Sequence, residues 1–569
     1  MIRSIRRWVG APIANRARRL AQEFLRQAAE ADRVQRDRLL SQIRRHADSA
    51  FGRAHGFSEI RSPEDFRRRV PIRDYDGHEP YLARVREGET SALFAEGTEI
   101  LMFAMTSGTT ARPKTIPVTR EALQAYRDGW RIWGILAFDA HDGMIRDGMR
   151  PILQLASDWK ESRTPSGIPC GAITGLTAAM QHPLIRLNYC MPPAASRIRD
   201  VEAKYYVALR LSAYRNVGAL IAANPSTLLG IARLGDREKQ TLIRDLFNGT
   251  IDPKWDIPEE VRLALRARSR FKRRAAARRL EEAAERQDRL LPKDFWPDLE
   301  FVANWTGGTM GAYLRQYPDA FGEVPVRDPG LIASEGRMTI PVEDFSPAGI
   351  LDYRHHYFEF IPESQEDAEQ PETVEAADLI EGQRYFILLT THGGLYRYQI
   401  RDLVQCVGFE GKAPLLVFLN KGSHISSLTG EKLSEFQVVA AVKELQHEFG
   451  LTFHSFILLP SWGDPPSYSL LVERQDLAAF PGRLEELSER LDRALCRQNV
   501  EYENKRETLR LGRVRVRPVA DGSWNAFRSR RLASTGGTLE QYKQPCLLSD
   551  LEVIGQFSFV DAPEGSKAV

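Results

Sequence analysis

Cysteine is scarce and scattered in this sequence. Its five residues, Cys170, Cys190, Cys406, Cys496 and Cys546, stand far apart, and no Cys-x-x-Cys pair occurs. That pattern indicates neither a zinc site nor a disulfide framework, and a reducing cytoplasm is the expected location. Net charge is also small: 79 Lys and Arg against 76 Asp and Glu leave +3. A dedicated nucleic-acid binder needs a concentrated basic surface, so no nucleic-acid partner is expected. No apolar run is long enough to cross a bilayer, and no membrane partner is expected. Acids are missing before Glu23, which leaves the N-terminus Met1–Val9 basic. Such a start imitates a transit peptide or a membrane-surface helix, but the exposed face of a first helix is the plainer reading. No internal repeat or low-complexity tract stands out.

What is present fits a soluble globular protein, with 43% hydrophobic and 27% charged residues. A chain of 569 residues is too long for one core, so two or more domains are expected. Apolar residues at helical spacing (Ile13, Ala17, Leu20, Phe24, Ala28, then Val34, Leu39, Leu40, Ile43) predict helix over 13–47. Residues 57–88 break into short pieces. A second helix is predicted over 119–138, with the stripe Leu123, Tyr126, Trp130, Trp133 and Leu136. Residues 259–289 give one long helical pattern, rich in arginine from Arg262 to Arg279 and followed by Glu281, Glu282 and Glu285. Only Phe271 interleaves those arginines, so a solvated face explains them better than an RNA platform. From Ile332 onward strand signals dominate. Asn420-Lys421-Gly422-Ser423 is a polar break that suggests a hinge. Helices over 435–449 and 484–497 alternate with strands over 452–460 and 468–473, which describes a small α+β domain.

Residues 105–117 read Met-Thr-Ser-Gly-Thr-Thr-Ala-Arg-Pro-Lys-Thr-Ile-Pro. They follow the apolar run Ile100–Ala104 and precede Val118-Thr119, with Thr119 as the candidate N-cap of the next helix. A hydroxyl-rich loop between strand and helix suits phosphate, because hydroxyls and backbone N–H groups donate to its oxygens and Lys114 adds charge. The order of an ordinary P-loop is absent.

Four further segments bear on that loop: Ala333-Ser334-Glu335-Gly336, Tyr396–Asp402 with its aspartate just before a strand, Leu428–Leu433, and Thr538–Pro545 with Tyr542-Lys543. In order, these resemble the motifs of the adenylate-forming enzymes. Gly52–Phe57, Val70–Tyr75, Arg86–Glu89, Trp305–Met310 and Tyr357–Pro362 resemble more closely the Gretchen Hagen (auxin-responsive promoter) family, whose characterised members are acyl acid–amido synthetases. The resemblance runs from about residue 35 to residue 550.

That resemblance implies an α/β fold. A large N-terminal domain over 1–419, of sheets packed with helices plus a β-barrel-like part, would bind ATP and acid. A hinge over 420–424 would join it to a small mobile α+β domain over 425–569. It implies an ATP- and Mg²⁺-dependent ligase that activates a carboxylic acid as an acyl-adenylate and passes the acyl group to an amino acid. A thiol acceptor is the first alternative, and a catalytically inactive small-acid-binding protein the second. By position, Thr106, Ser107, Gly108, Thr109 and Thr110 would hold the phosphates with Lys114. Glu335 would bind Mg²⁺, Asp402 the ribose, and Tyr398 would belong to the nucleotide site. Lys432 and Lys543 would reach the nucleotide from the small domain, with Lys543, Glu335 and Thr109 catalytic. Ser334 and Thr306 would line the nucleotide or acyl side, and Trp130, Trp133 and Met310 the acyl side. This sequence departs from the pattern at Ala111, where the wider superfamily has glycine, and at Leu331-Ile332, where plant members place an aromatic residue against adenine. An aliphatic adenine wall is expected instead. His355, His356 and Glu359 suggest a metal site, but on a strand the adjacent histidines would point to opposite faces. The partners expected are small acid and amino acid substrates, with the oligomeric state open and a monomer favoured.

Overall fold

Helix opens the chain, as the apolar spacing predicts, but in two pieces. Ile2–Gln27 and Ala31–Arg45 are separated by a short 3-10 turn at Ala28–Glu30. Phe24, Leu39 and Ile43 are fully buried on them. Buried Gln35 is the polar tie to the rest of the domain. Its amide donates to the carbonyls of Tyr353 (2.6 Å) and His356 (2.5 Å), and its oxygen accepts the Phe358 N–H (2.9 Å). All its strong hydrogen-bonding groups are thereby used, as burial requires.

The computed structural model describes residues 2–106, 114–146, 148–181, 183–307, 310–365, 368, 370–420, 425–478, 480–527, 530 and 545–560, with backbone alone for 2–13, 106, 184, 311, 312, 420 and 436. Two compact units emerge, one comprising Met1–Thr106 and Lys114–Leu419, the other built on Asn420–Val569.

Three sheets make up the first unit. One holds Ile100–Thr106 between Lys114–Thr119, antiparallel to it, and Pro169–Gly171, parallel to it. The second is all parallel, in the order Ile152–Gln154, Ala219–Ile221, Phe301–Ala303, Val326–Arg327. Its two central strands, Ala-Leu-Ile and Phe-Val-Ala, are buried at every residue, as a parallel sheet covered on both faces demands. The barrel-like part takes the form of a seven-stranded sheet. Its order is Val374–Glu375, Tyr357–Pro362, Arg384–Thr390, Tyr398–Glu410, Ala413–Asn420, Gly349–Leu351, Thr339–Pro341.

The sequence reading needs correction at three places. The hydroxyl-rich loop joins two antiparallel strands rather than a strand and a helix. Thr106 pairs with Lys114 across it, and Lys114–Thr119 is an edge strand whose Pro117 needs no ladder donor. The helix follows only at Arg120–Ala140, capped as expected by Thr119, whose hydroxyl accepts the Ala122 N–H (3.1 Å). The arginine-rich pattern over 259–289 is two helices, Glu259–Ser269 and Arg274–Gln287. The chain turns between them where the Arg273 N–H donates to the Leu246 carbonyl (2.7 Å). His355 and His356 sit in the turn before the strand Tyr357–Pro362, not on it, so strand alternation does not govern them.

In the second unit, Phe456–Ser461 pairs antiparallel with Ser467–Glu473, which pairs parallel with Arg515–Val519. Helix Glu435–Phe449 starts on a capping box made by Ser434 and Gln437 and stops at left-handed Gly450 (φ 63°). With helix Leu484–Gln498 it buries Val438, Val442, Leu445, Leu487, Leu491 and Leu495 in one core. Among the described residues, no helix is long and apolar enough to cross a membrane.

Candidate active site

Glu335 sits at the tip of a very tight hairpin. The Ala333 N–H donates to the Gly336 carbonyl (2.9 Å), the Gly336 N–H returns to the Ala333 carbonyl (3.2 Å), and Ile332 bridges Arg337 below. Ser334 and Glu335 are therefore the two residues of the turn. Gly336 is needed there for space, since a Cβ would lie 2.8 Å from Nε2 of buried His356. Glu335 is buried, and its Oε1 accepts a long bond from the Tyr398 hydroxyl (3.4 Å). The phenol's pKa is pushed well above its usual range, first by burial and then by the Glu335 charge. It is a neutral donor at any pH the protein meets. Two segments 63 residues apart in sequence thus converge on one carboxylate.

Tyr398 is held by the strand that carries it and by what packs behind it. Arg73 pairs with it in parallel, through Gln399 N–H to the Arg73 carbonyl (2.8 Å) and Arg73 N–H to the Arg397 carbonyl (3.2 Å). Arg397, in the left-handed region at φ 48°, is buried against Glu359 (3.0 and 3.2 Å). It also donates to the carbonyls of Arg67 (3.1 Å) and Val70 (2.8 Å). This buried pair fixes the chain just before Tyr398, and the Arg73 carbonyl holds Gln399 just after it.

Asp402 lies inside the strand Tyr398–Glu410, not just before a strand as its sequence suggests. Leu388 pairs with Gln399 but Phe386 pairs with Leu403, so Ile400, Arg401 and Asp402 face the single residue Ile387. This bulge puts Arg401 at φ 63° in solvent and turns Asp402 inward, where it is 3% exposed. Re-aiming one side chain is what bulges beside functional sites do.

The Lys114 ammonium lies 5.3 Å from the centre of the Tyr75 ring. Tyr75 in turn accepts the Thr115 N–H (3.0 Å), and Arg86 donates to the Thr115 hydroxyl (3.0 Å). Tyr75 and Arg86 thus anchor the strand that leaves the hydroxyl-rich loop. Ser107, Gly108, Thr109 and Thr110 of that loop, and Lys543, lie outside the described residues, as does the Thr106 side chain.

Thr306 donates through both its N–H (2.7 Å) and its hydroxyl (2.9 Å) to Oδ2 of Asp328, whose Oδ1 takes the Gly330 N–H (2.7 Å). Burial raises the Asp328 carboxyl to about 6 in spite of these bonds. The three carbonyls of Asp328, Pro329 and Gly330 accept, in turn, from Trp133 Nε1 (2.8 Å), Arg337 (2.6 Å) and Trp305 Nε1 (2.9 Å). Trp133 is accordingly a core residue with a spent N–H, whereas Trp130 is half-buried and stacks under the Arg337 guanidinium (4.7 Å). Leu331 packs against the core and Met310 against the core of the helical half.

Within the second unit, Lys432 follows a buried acid, Glu431. That carboxylate accepts the Leu428 N–H (2.6 Å), the Thr429 N–H (2.8 Å) and the Thr429 hydroxyl (2.9 Å). Lys432 itself is half-buried at φ 48°.

The sequence reading left Asp328, Arg337, Arg397 and Glu431 without a role. Only Glu359, an acid inside the apolar run Tyr357–Pro362, gave a signal, since such a group needs a buried cation.

Family models match nearly the whole chain. The GH3 family N-terminal domain covers residues 20–326, the central domain 349–421 and the C-terminal domain 436–552. Indole-3-acetic acid-amido synthetase GH3.17 of Arabidopsis thaliana is 25% identical over 89% of this chain and 90% of its own length. Jasmonoyl-L-amino acid synthetase JAR6 of Nicotiana attenuata is 23% identical over 93% of both. The solved structure of GH3.15 acyl acid amido synthetase superposes with a TM-score of 0.65 at 19% identity, covering 95% of this chain and 96% of that one.

Proposed function

The chain belongs to the GH3 family, and from that premise we propose that it is an ATP-dependent ligase joining a small carboxylic acid to an amino acid. The meeting of Glu335 and Tyr398 carries the reading, because it unites two motifs that the chain keeps far apart.

A carboxylate resists amines because its oxygen is a poor leaving group. In the first half-reaction an oxygen of the acid attacks the α-phosphorus of ATP, the bond to the bridging oxygen breaks, and pyrophosphate leaves. In the second, the amine nitrogen of the amino acid attacks the carbonyl carbon of the acyl-adenylate. A C–N bond forms, the C–O bond to AMP breaks, and the nitrogen gives up a proton. The protein's task in both is positioning and charge neutralisation.

Glu335 would supply a hard oxygen donor for Mg²⁺. The fit is good for an ion that takes one carboxylate and draws its other ligands from phosphate and water. No group of three or more His, Cys, Asp or Glu able to form an all-protein cage occurs among the described residues. When bound, the ion neutralises phosphate charge. Tyr398 would orient the Glu335 carboxylate, and Asp402, turned inward by the bulge, would accept from the ribose hydroxyls. Lys114 and residues 106–110 would cradle the phosphates. Lys432 and Lys543 would act from the second unit. Thr306, locked by Asp328, and Trp130 would line the acid side.

Pyrophosphate exchange into ATP, screened over aryl, indole and fatty acids, tests the first half-reaction without knowledge of the acceptor. Exchange with one acid class is expected. No exchange with any acid, while acids still bind, would favour the inactive binding protein. Coupled assays with amino acids and with CoA then identify the acceptor.

A further inference from the structure

The arginine-rich stretch between Glu260 and Glu281 holds no acid, and the fold leaves much of its charge uncommitted. Arg262, Arg268 and Arg279 are spent on backbone carbonyls, those of Trp255, Cys190 (2.9 Å) and Ala213 (3.2 Å) among them. Arg266, Arg270, Lys272 and Arg274 are exposed, and none of these four pairs with a carboxylate among the described residues. The acids that follow, Glu281, Glu282 and Glu285, begin about two turns beyond Arg274 and quench none of them. Large apolar side chains gather at the same place. The turn after Ser269 lies against the end of helix Lys239–Asn248, where a Cβ on Gly249 would stand 2.5 Å from the Arg270 carbonyl. Phe247 and Phe271 are there 40% and 48% exposed. Guanidiniums lie over both rings, Arg274 at 5.2 Å from Phe247, Arg270 at 5.1 Å and Arg273 at 5.5 Å from Phe271. On helix Glu259–Ser269, Leu263 is 58% exposed on the face that carries Arg266 and Arg270.

We propose that this basic and aromatic surface docks the protein on an anionic lipid membrane. The proposal goes beyond the ligase reading and does not depend on it. Lipid phosphates and carboxylates complement Arg266, Arg270, Lys272 and Arg274, while Phe247, Phe271 and Leu263 enter the boundary between headgroups and acyl chains. Mobile headgroups meet such a mixture of cations and apolar side chains without a shaped groove. An RNA strand needs open ring faces on which bases stack, and here guanidiniums lie over the rings. Complementing a helix C-terminus accounts for Arg266 and Arg270 at the close of Glu259–Ser269, but not for the exposed rings beside them. The expectation of no membrane partner rests on the lack of a spanning run, which a peripheral contact does not need.

The full chain is floated with vesicles of phosphatidylcholine alone and of phosphatidylcholine mixed with phosphatidylserine. Binding to the mixed vesicles only, released by salt, is expected. Each cation near an anionic surface is worth about fivefold in affinity, so the joint variant Arg266→Glu, Arg270→Glu, Arg274→Glu should bind at least about a hundredfold more weakly. Phe271→Ala, with every charge kept, should lose about tenfold, a loss that charge attraction alone does not produce. Melting curves show whether these exposed substitutions leave the fold intact. Phe271→Trp needs no such control: its emission should shift to the blue with mixed vesicles and stay unchanged with phosphatidylcholine. No binding by the wild type, equal binding by the joint variant, or no shift at Trp in the bound Phe271→Trp protein would overturn the proposal. So would displacement of the protein from mixed vesicles by an equal concentration of single-stranded oligouridylate, which would make RNA the occupant.

Discussion

Asp328 makes a prediction whose sign and size both follow from its surroundings. Its carboxyl titrates at about 6 in the native protein, against 3.8 in an unfolded chain. Between those values the native state binds more protons than the unfolded state, so this group's contribution to stability falls as pH rises. The rise from 3.8 to about 6 corresponds to about 3 kcal/mol, present below pH 4 and lost by pH 6 to 7. Asp328→Asn carries no such proton. The three donors now aimed at the carboxylate, two from Thr306 and one from Gly330, would lose an oxygen to an amide nitrogen, which costs about 1–3 kcal/mol at any pH. The wild type should therefore be much the more stable of the two near pH 4, and the gap should narrow by about 3 kcal/mol on going to pH 7. Thermal melts of both proteins, paired at each pH, cancel the many carboxylates they share. A gap that stays constant across pH, or widens toward neutrality, would refute the assignment of a buried, raised carboxyl at this position.

Three further substitutions give separate readouts. Gly336→Ala places a Cβ 2.8 Å from His356 Nε2 and should displace the Glu335 turn, lowering kcat for pyrophosphate exchange about tenfold or more; an unchanged kcat would show that the turn does not position the chemistry. Arg397→Met leaves Glu359 as an unpaired buried carboxylate and should cost about 3–5 kcal/mol in melting experiments, most of it recovered when Glu359→Met is added. Lys543→Ala should abolish pyrophosphate exchange while ATP binding, followed by calorimetry, persists. Normal exchange in that variant would remove Lys543 from the adenylation step.

Local patterns in the sequence carried over well to the structure, and long-range ones did not. The helix after Thr119 and the helix Glu435–Phe449 were legible because their caps and apolar periods lie within a few residues. Lys114–Thr119 was hidden as a strand because a short run interrupted by Pro117 has little β signal of its own; it is a strand only because Ile100–Thr106 lies beside it. The bulge at Asp402 is a mismatch in register between two strands, and register is not written in either strand alone. Motif order pointed to Glu335 and Tyr398, but not to Asp328, Arg337 or Arg397. Those three act through groups that come from distant parts of the chain: Thr306 for the first, Gly129 and Trp130 for the second, Glu359 for the third.

The hairpin that ends at Ser334 and Glu335 is also a constraint on how this enzyme can change. Arg337 lies one residue beyond Gly336, with Ile332 as its bridge partner, so no flexible spacer separates the guanidinium packed on the facing helix Arg120–Ala140 from the carboxylate that would serve the nucleotide. Any substitution at 337 will therefore tug on the Glu335 carboxylate. The facing helix shares that constraint: a Cβ at Gly129 would lie 2.8 Å from Arg337 Nε, and Trp130 stacks on the guanidinium, so changes at either position reach the same hairpin.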